Sequence, residues 1–276
     1  MKLLRQFMFF FALLTCLSII ALQAYPLLWS IILWDRARGV GLAEHRERVC
    51  RWAMRWSGRA ICVFGRLISC RFEFRLPERL RARRPAVVVV NHRSTFDILL
   101  MLAALRQMGY TKARFVAKRE AGAVPVVGRA AREMGCAFIS RRGDAADLET
   151  IRARAAEALR DDACLVIFPE GTTFHNPAFV SKRVGEYRHV LPPRASGLKA
   201  AMAVLAAWPV LSVTLDWGDI EGADTVGGMA PLYGKAIVVD GEYVAGPANE
   251  PIEQWLNREW KRKDETIEKM HRAPSR

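Results

Sequence analysis

The sequence predicts an α/β fold with a mostly parallel, mixed sheet and flanking helices, preceded by one N-terminal transmembrane helix and a basic interfacial amphipathic helix. Three observations support this prediction. After residue 70, short apolar runs typical of strands alternate with segments of helical periodicity, as in chains built from βαβ units. Residues 7–34 carry no charge, and the segment after them is rich in Arg and Trp. The 276 residues suffice for one large domain with an attachment segment.

The N-terminal segment, residues 1–35, is expected to be a transmembrane anchor. Its uncharged stretch exceeds the roughly 20 residues that a spanning helix needs. A secretory signal peptide is the alternative, although the apolar stretch is too long for one and "LQA" is a poor cleavage site. The arginines after the span outnumber Lys2 and Arg5 before it. The positive-inside rule therefore predicts a single-pass membrane protein with its body on the cytoplasmic face.

Residues 36–70 are expected to form a basic amphipathic helix that lies in the membrane interface. Within "RERVCRWAMRWSGRAICVFGRLISC" (46–70), apolar residues recur at helical spacing and arginines lie mainly on other faces. The alternative is a helix that packs on the protein core and has a solvated basic side. The apolar positions are Val49, Trp52, Ala53, Trp56, Ala60, Val63, Phe64 and Leu67.

The composition favours a phospholipid surface as the anionic partner and excludes a metal site. Lys and Arg number 42 against 28 Asp and Glu, which gives a net charge of +14. Such a charge suits either nucleic acid or an anionic membrane, but no recognisable nucleic-acid module is present. The six cysteines form no CxxC pair and the five histidines are scattered. No metal or organic cofactor is therefore expected.

From residue 71 onward, strands and helices alternate in a regular order. "PAVVVV" has the uninterrupted apolar character of a strand covered on both faces, whereas "DAADLETIRARAAEALRDD" has strong helical amphipathicity. Ligands of parallel sheets gather at the carboxyl ends of the strands. The predicted strands are 71–76, 85–90, 113–118, 136–140, 164–168, 210–217 and 235–240, and the predicted helices are 95–108, 120–134 with a break near Pro125, 144–162, 195–207 and a charged helix from about 250.

The segment "NHRSTFD" (91–97) follows a buried strand and places a carboxylate five residues after a histidine. Five helical residues turn about 500°, so the two side chains can meet only if His92 lies in the turn and Asp97 in the following helix. Such a pair is a base with its orienting group. No GxSxG motif occurs, so His92 would deprotonate a substrate hydroxyl that attacks an acyl or phosphoryl donor. The alternative is a packed histidine beside an aspartate that stabilises a helix N-terminus.

Three further segments follow predicted strands or precede a predicted helix. "GCAFISRR" (135–142) and "FPEGT" (168–172) extend past strands, and "YRHVLPPRASG" (187–197) ends a long loop before a helix. In this order, NHxxxxD, GxxFIxR and xPEGT resemble the 1-acylglycerol-3-phosphate acyltransferase family over roughly residues 86–215. The last loop is similar to a branch with lysocardiolipin-type acyltransferases and related bacterial membrane proteins, which implies a bacterial inner membrane as the location.

The resemblance implies a catalytic domain over residues 71–276 that moves an acyl chain from acyl-CoA or acyl carrier protein to the free hydroxyl of a lysophospholipid. The first acceptor it implies is 1-acylglycerol-3-phosphate, which would give phosphatidic acid. Lysophosphatidylglycerol, lysophosphatidylinositol and lysocardiolipin are alternative acceptors, and an inactive lipid-binding protein of the same fold is an alternative function. The implied partners are the membrane, a lysophospholipid and the acyl thioester, with no nucleic acid.

The resemblance also implies site residues by position. His92 would be the base and Asp97 its partner. The family commonly has Arg after EGT, where this chain has Thr173. Arg141 is therefore expected to carry most of the phosphate contact, with a second cation from Lys182, Arg183 or Arg194. The full expected substrate-binding set is Asn91, Gly135, Phe138, Ile139, Arg141, Glu170, Gly171, Thr172, Lys182 and Arg194.

Overall fold

A computed structural model describes most of the chain and contains helices and strands in alternation. The described residues are 7, 10, 11, 14, 15, 18–76, 85–140, 144–174, 187–218, 232, 235–247 and 250–272. The helices are α1 (Tyr25–Ala37), α2 (Leu42–Leu67), α3 (Asp97–Gln107), α4 (Val127–Glu133), α5 (Ala145–Asp161), α6 (Ala195–Leu205) and α7 (Ile252–Arg272). The strands are β1 (Arg71–Arg75), β2 (Val87–Val90), β3 (Ala113–Lys118), β4 (Ala137–Ile139), β5 (Cys164–Ile167), β6 (Val210–Asp216) and β7 (Ala236–Val244).

The strands form one seven-stranded sheet in the order β1-β7-β6-β2-β5-β3-β4. Every neighbouring pair is parallel except β6 and β7, which are antiparallel. The predicted mostly parallel, mixed sheet is therefore confirmed. Since β2 lies between β5 and β6, the segments after these three strands meet at one edge of the sheet. That edge carries His92, the FPEGT segment and the end of β6.

Helices cover both faces of the sheet, so the central strands β2, β5 and β6 are buried on both sides. Val88 and Val90 pack in a core with residues of α1 to α4, whereas Val87 and Val89 pack in a second core with residues of α5 to α7. Successive strand residues point to opposite faces, which explains why a run of valines is apolar at every position. Each fully buried valine side chain contributes about 1.5–3 kcal/mol.

One predicted break is confirmed, and one predicted strand is longer than expected. The predicted helix over 120–134 is broken near Pro125 into a 3₁₀ helix (Arg119–Ala123) and α4, because Pro125 interrupts the hydrogen-bond pattern and Val126 has a φ of +63°. The last strand extends beyond 240 to Val244, because β7 turns back along the whole of β6 in antiparallel pairing. The other predicted elements after residue 70 begin and end within about three residues of the observed ones.

The structure favours the core-packing alternative for the predicted interfacial helix. Val49, Trp52 and Ala53 of α2 are buried in the core, whereas Arg55 and Arg59 are exposed. An apolar stripe is stabilised equally by a protein core and by lipid, so periodicity alone could not distinguish the two environments. The apolar face of α2 therefore packs on the protein core together with the sheet.

The expected membrane anchor falls partly outside the described residues. Among those that are described, no helix combines the length and the apolar character needed to cross a bilayer. One face of α1 is packed on the core through Leu28 and Ile32, both fully buried. The other face exposes large apolar side chains, including Leu33 and Trp34.

Candidate active site

His92 and Asp97 form a hydrogen-bonded pair at the edge of the sheet where β2 ends. The distance from His92 Nδ1 to Asp97 Oδ2 is 2.9 Å. The same carboxylate oxygen accepts the backbone N–H groups of Arg93 at 2.7 Å and Ser94 at 2.9 Å. Its other oxygen accepts the indole N–H of Trp217 at 2.8 Å. The Asp97 carboxylate is fully buried and accepts hydrogen bonds from four donors.

The surroundings of Asp97 determine which nitrogen of His92 carries the proton. The three other partners are N–H groups that can only donate, so we assign the carboxylate as the acceptor of all four bonds. His92 Nδ1 is then protonated and donates, which leaves Nε2 with a free lone pair. The side chain of His92 is 18% exposed and its ring lies against Phe168, with ring centroids 4.5 Å apart. The pair can act as a base with an orienting carboxylate.

The side chain of Asn91 is bonded to the neighbouring strand, which argues against its expected role as a substrate ligand. Its Nδ2 donates to the carbonyl of Leu215 at 2.9 Å, and its Oδ1 accepts the Leu215 N–H at 2.7 Å. Asn91 is fully buried. These bonds fasten the turn that carries His92 to β6, so Asn91 has a positioning role in this turn.

Arg93 is a functional candidate that the sequence reasoning missed. Its guanidinium is buried, donates to the carbonyls of His189 at 2.7 Å and Gly218 at 2.9 Å, and lies 4.2 Å from the centre of the Phe174 ring. It therefore ties two loops to the turn that carries His92. An arginine directly after a candidate catalytic histidine was the available signal, but its partners are about 100 residues away.

Glu170 is bonded both to helix α7 and to the backbone of His92. Its Oε1 accepts the indole N–H of Trp260 on α7 at 3.1 Å. Burial raises the pKa of Glu170 to about 8, against the opposing effect of hydrogen bonds from the His92 backbone N–H and from Trp260. The side chain is only 2% exposed. Glu170 thus connects α7 to the backbone of His92, and its expected contact with substrate is replaced by a structural one.

Helix α7 also places a buried lysine against strands β2 and β6. Lys263 is fully buried, and its Nζ donates to the carbonyls of Val213 at 2.6 Å and Val89 at 3.4 Å. Burial lowers the pKa of Lys263 to about 7. The sequence predicted only a charged terminal helix here. Leu256, Trp260 and Ile267, which are spaced by four and seven residues, were the signal that one of its faces is buried.

An apolar cleft lies beside the first turns of α3. It is enclosed by α2, α3, α4 and the ends of β3 and β4, and its empty space is about 850 Å³, part of it open to solvent. Ile98 and Leu99, which directly follow Asp97, form one wall. Phe138 of the expected substrate-binding set lies in this cleft.

A second cavity, which we call the strand-end cavity, lies at the carboxyl ends of β3, β4 and β5 and has an empty space of about 640 Å³, partly open. It brings together Ile139, Gly171 and Arg194 from the expected set. Phe168 also lines it, and the ring of Phe168 lies against the His92 ring. Phe138 and Ile139 contribute to different cavities because adjacent strand residues face opposite sides of the sheet. Thr172 is buried.

Gly135 is at the wrong end of β4 to contact an acceptor in this cavity. It precedes the strand, and its φ of +76° closes the turn after α4. A Cβ there would lie 3.0 Å from Nε of Arg46. Glycine is therefore required by this turn, at the amino end of the strand. The expected ligands Arg141 and Lys182, like Arg183, lie outside the described residues.

The chain is similar to curated proteins that are named as lipid acyltransferases. It is 27% identical over 146 residues to the lysophospholipid acyltransferase LPEAT1 of Arabidopsis thaliana, covering 51% of this chain and 33% of that protein. It is 36% identical over 157 residues to the lyso-ornithine lipid O-acyltransferase of Pseudomonas aeruginosa, covering 57% of this chain and 54% of that protein. The chain therefore aligns with about a third to a half of the length of these curated relatives.

A solved structure and a family model agree with this similarity. The crystal structure of the 1-acyl-sn-glycerophosphate acyltransferase PlsC from Thermotoga maritima matches with a TM-score of 0.68 at 19% identity, over 100% of this chain and 98% of that one, which shows a shared fold. Residues 71–216, more than half of the chain, match the family model described as Acyltransferase. This stretch contains His92, Asp97 and the strand-end cavity. The chain belongs to the Acyltransferase family.

Proposed function

We propose that this protein transfers an acyl chain from a thioester, either acyl-CoA or acyl carrier protein, to the free hydroxyl of a lysolipid, with His92 as the general base. The observation that carries the proposal is the bond from His92 Nδ1 to Asp97, a buried carboxylate that three other donors hold in place. A base oriented in this way, with its Nε2 free, suits removal of a proton from a hydroxyl.

The proposed reaction has two steps. His92 Nε2 takes the proton of the acceptor hydroxyl while that oxygen attacks the thioester carbonyl carbon. The tetrahedral intermediate then collapses, the carbon–sulfur bond breaks, and the thiolate takes the proton from the imidazolium. The products are an ester and a free thiol. Asp97 stabilises the imidazolium between the two steps. A thioester is already activated, so the proposal includes no metal or organic cofactor.

The apolar cleft beside α3 is the proposed site of the acyl chain. Its walls are apolar almost throughout, with Leu99, Leu102 and Phe138 among them. Because the cleft begins one residue after Asp97, a chain bound there would bring its thioester close to His92. Burial of each methylene contributes about 0.8 kcal/mol, which is a sufficient driving force for holding a long chain.

We also propose that the N-terminal segment is a membrane anchor and that the domain lies on the cytoplasmic face of the membrane. Residues 7–34 are uncharged, and α1 presents Leu27, Leu33 and Trp34 on its exposed face. Exposed arginines of α2, such as Arg55, add attraction to anionic headgroups. Acceptor lipid in the bilayer would then reach His92 without leaving the interface.

Two classes of acceptor follow from the relatives. The resemblance over residues 86–215 makes 1-acylglycerol-3-phosphate the first candidate, with phosphatidic acid as product. The 36% identity to a protein named lyso-ornithine lipid O-acyltransferase makes lyso-ornithine lipid the second. Lysophospholipids with esterified phosphates, including lysophosphatidylglycerol, lysophosphatidylinositol and lysocardiolipin, complete the panel.

The test is acyl transfer from labelled acyl-CoA and acyl carrier protein to this panel, with wild type and His92→Ala in purified membranes. We expect one acceptor class to be labelled by the wild type and transfer to be lost in His92→Ala, with equal protein levels. Asp97→Asn should lose about 10⁴-fold in turnover if the analogy with the serine-protease aspartate holds. Substantial activity of His92→Ala would refute the mechanism. Binding of lysolipid without transfer would indicate an inactive lipid-binding protein.

A further inference from the structure

The last turn of helix α7 contacts the end of strand β6. Nε2 of His271 lies 3.1 Å from both carboxylate oxygens of Asp216, the final residue of that strand. An ionised carboxylate can only accept, so we assign the proton to Nε2, which donates. Helix α7 lies beyond residues 71–216, the stretch that matches the family model. The contact therefore joins a part of the chain outside that match to the edge of the sheet that carries His92.

The side chain of Asp216 shapes the turn that leaves β6. Asp216 is buried, and its Oδ1 accepts the backbone N–H of Gly218 at 2.9 Å. An aspartate that accepts the N–H two residues later forms an Asx turn. Gly218 has a φ of +67°, a conformation that glycine adopts without strain. Asp216 therefore fixes the backbone on both sides of Trp217.

This turn directs the indole of Trp217 towards the proposed catalytic pair. Trp217 is buried and donates its indole N–H to Oδ1 of Asp97 at 2.8 Å. The other oxygen of Asp97 lies 2.9 Å from Nδ1 of His92. Hydrogen bonds and one peptide bond therefore join these residues in a continuous order: His271, Asp216, Trp217, Asp97 and His92.

The Asp216 carboxylate is ionised and depends on its donors. Burial alone would raise the pKa of Asp216, but the hydrogen bond and charge of His271, the N–H of Gly218 and the nearby charge of Arg93 together lower it below its ordinary value. A buried carboxylate that loses a donor is costly to keep in place. The turn at residues 216–218 is therefore sensitive to the loss of His271.

Neighbouring contacts fix the end of α7 against the same region. The rings of His271 and His189 meet edge to face, with centroids 4.9 Å apart. His189 Nε2 lies 2.7 Å from Glu268 of α7, and the His189 backbone N–H donates to Asp264 at 2.6 Å. The carbonyl of His189 accepts from the guanidinium of Arg93. The end of α7 thus holds both segments that Arg93 ties to the turn of His92.

We propose that His271 is a positioning residue for acyl transfer, which acts on Asp97 through the turn at residues 216–218. This inference rests on the proposed function. Without the donor from His271, the Asp216 carboxylate would be less well held and the indole of Trp217 less well aligned with Asp97. His271 lines neither the apolar cleft nor the strand-end cavity. Its loss should therefore lower kcat and leave the binding of both substrates unchanged.

The first test is steady-state kinetics of the full-length protein in detergent micelles. We expect His271→Phe to lower kcat about 3- to 20-fold, with each KM changed less than about twofold. His271→Gln should recover part of the loss, because its side-chain amide can still donate to Asp216. Lys269→Phe is the matched control, since Lys269 is exposed in the same last turn of α7 and should keep the wild-type kcat.

A double variant distinguishes positioning from general destabilisation. If His271 acts through Trp217, then adding His271→Phe to Trp217→Phe should lower kcat by less than about twofold beyond Trp217→Phe alone. Two residues on one path give non-additive effects, whereas independent effects multiply.

Hydrogen exchange of the tryptophan indoles gives a readout that needs no turnover. In protein labelled with ¹⁵N at tryptophan, Trp217→Phe identifies the Trp217 resonance. We expect His271→Phe to speed up exchange of this indole proton, because its bond to Asp97 is weakened. The indole N–H of Trp255, which donates to the carbonyl of Ala245 from the same helix at 2.8 Å, should exchange as in the wild type. This result would support positioning of Asp97 by His271 even if the wild type transferred no acyl chain, which would contradict only the proposed function.

Three results would overturn the inference. The first is a wild-type kcat, or wild-type exchange of the Trp217 indole, in His271→Phe. The second is a pair of losses that multiply in the double variant, because separate paths would then carry them. The third is faster exchange of Trp255 together with Trp217, which would show that the whole of α7 is displaced and that His271 has only a structural role.

Discussion

Trp217 donates its indole N–H to Oδ1 of Asp97 at 2.8 Å, so the carboxylate that orients His92 is held from the end of a different strand, β6. We expect Trp217→Phe to leave this buried oxygen without a partner, at a cost of roughly 1–3 kcal/mol. The turnover number should fall about 10- to 100-fold with little change in either KM, because the Asp97 carboxylate is less well oriented.

This prediction is checked by steady-state kinetics over a range of pH. A matched control is Trp208→Phe, since Trp208 is partly buried at the end of α6, against the core on the other face of the sheet from the apolar cleft. If Trp217→Phe retained the wild-type turnover and pH profile, the bond would have no part in orienting Asp97.

The raised pKa of Glu170 predicts a pH dependence of stability. Burial favours the neutral carboxyl and raises its pKa from 4.5 to about 8. A group whose pKa is raised on folding stabilises the fold fully below its unfolded pKa, and this contribution is lost as the pH rises to the folded value. We therefore expect the free energy of unfolding to fall between pH 4.5 and 8 through this group. Glu170→Gln should flatten that decline.

Urea unfolding at several pH values measures the effect. Glu149→Gln is the control, because the side chain of Glu149 is 71% exposed and its replacement should leave the slope unchanged. If the free energy of unfolding of Glu170→Gln fell with pH as steeply as that of the wild type, other groups would cause the pH dependence.

Adjacent leucines of α1 separate core packing from membrane contact. Leu28 is fully buried, whereas Leu27 is 45% exposed. Leu28→Ala should lower the free energy of unfolding by about 2–5 kcal/mol because it leaves a cavity. Leu27→Ala should change it by less than about 0.5 kcal/mol. Leu27→Glu should instead weaken binding to vesicles that contain anionic lipid, measured by flotation. Equal vesicle binding by Leu27→Glu and wild type would argue against this face as the membrane contact.

Thr173 occupies the position where the family commonly has arginine. It is partly exposed, and the next residue, Phe174, donates its backbone N–H to the carbonyl of His92 at 2.8 Å. We expect Thr173→Arg to lower the KM for lysophosphatidic acid by supplying a second cation. With a larger headgroup on an esterified phosphate, the added side chain should obstruct binding and raise the KM.

The comparison uses both acceptors with the same acyl donor, and Thr150→Arg on α5 adds the same charge at a position that does not line the cavity. A KM that Thr173→Arg leaves unchanged for both lipids would show that position 173 does not face the headgroup.

Local patterns were enough to predict most of the fold and the first pair of the site. The valine run of β2, the amphipathic α5 and the alternation of elements each express a periodicity that a few neighbouring residues contain. The spacing of His92 and Asp97 indicated a turn followed by a helix, because no other geometry lets the two side chains meet. These predictions depend on interactions between residues that are close in the chain.

Only the tertiary structure decided which residues complete the site. Asp97 meets Trp217, and Glu170 meets Trp260, because of the strand order β6-β2-β5 and the return of α7 beneath it. No spacing along the chain encodes that order. Arg194 likewise reaches the FPEGT turn through a backbone bond to Pro169. The apolar stripe of α2 is a similar case. Lipid and a protein core both exclude water from such a stripe, so only the tertiary packing shows that α2 lies against the core.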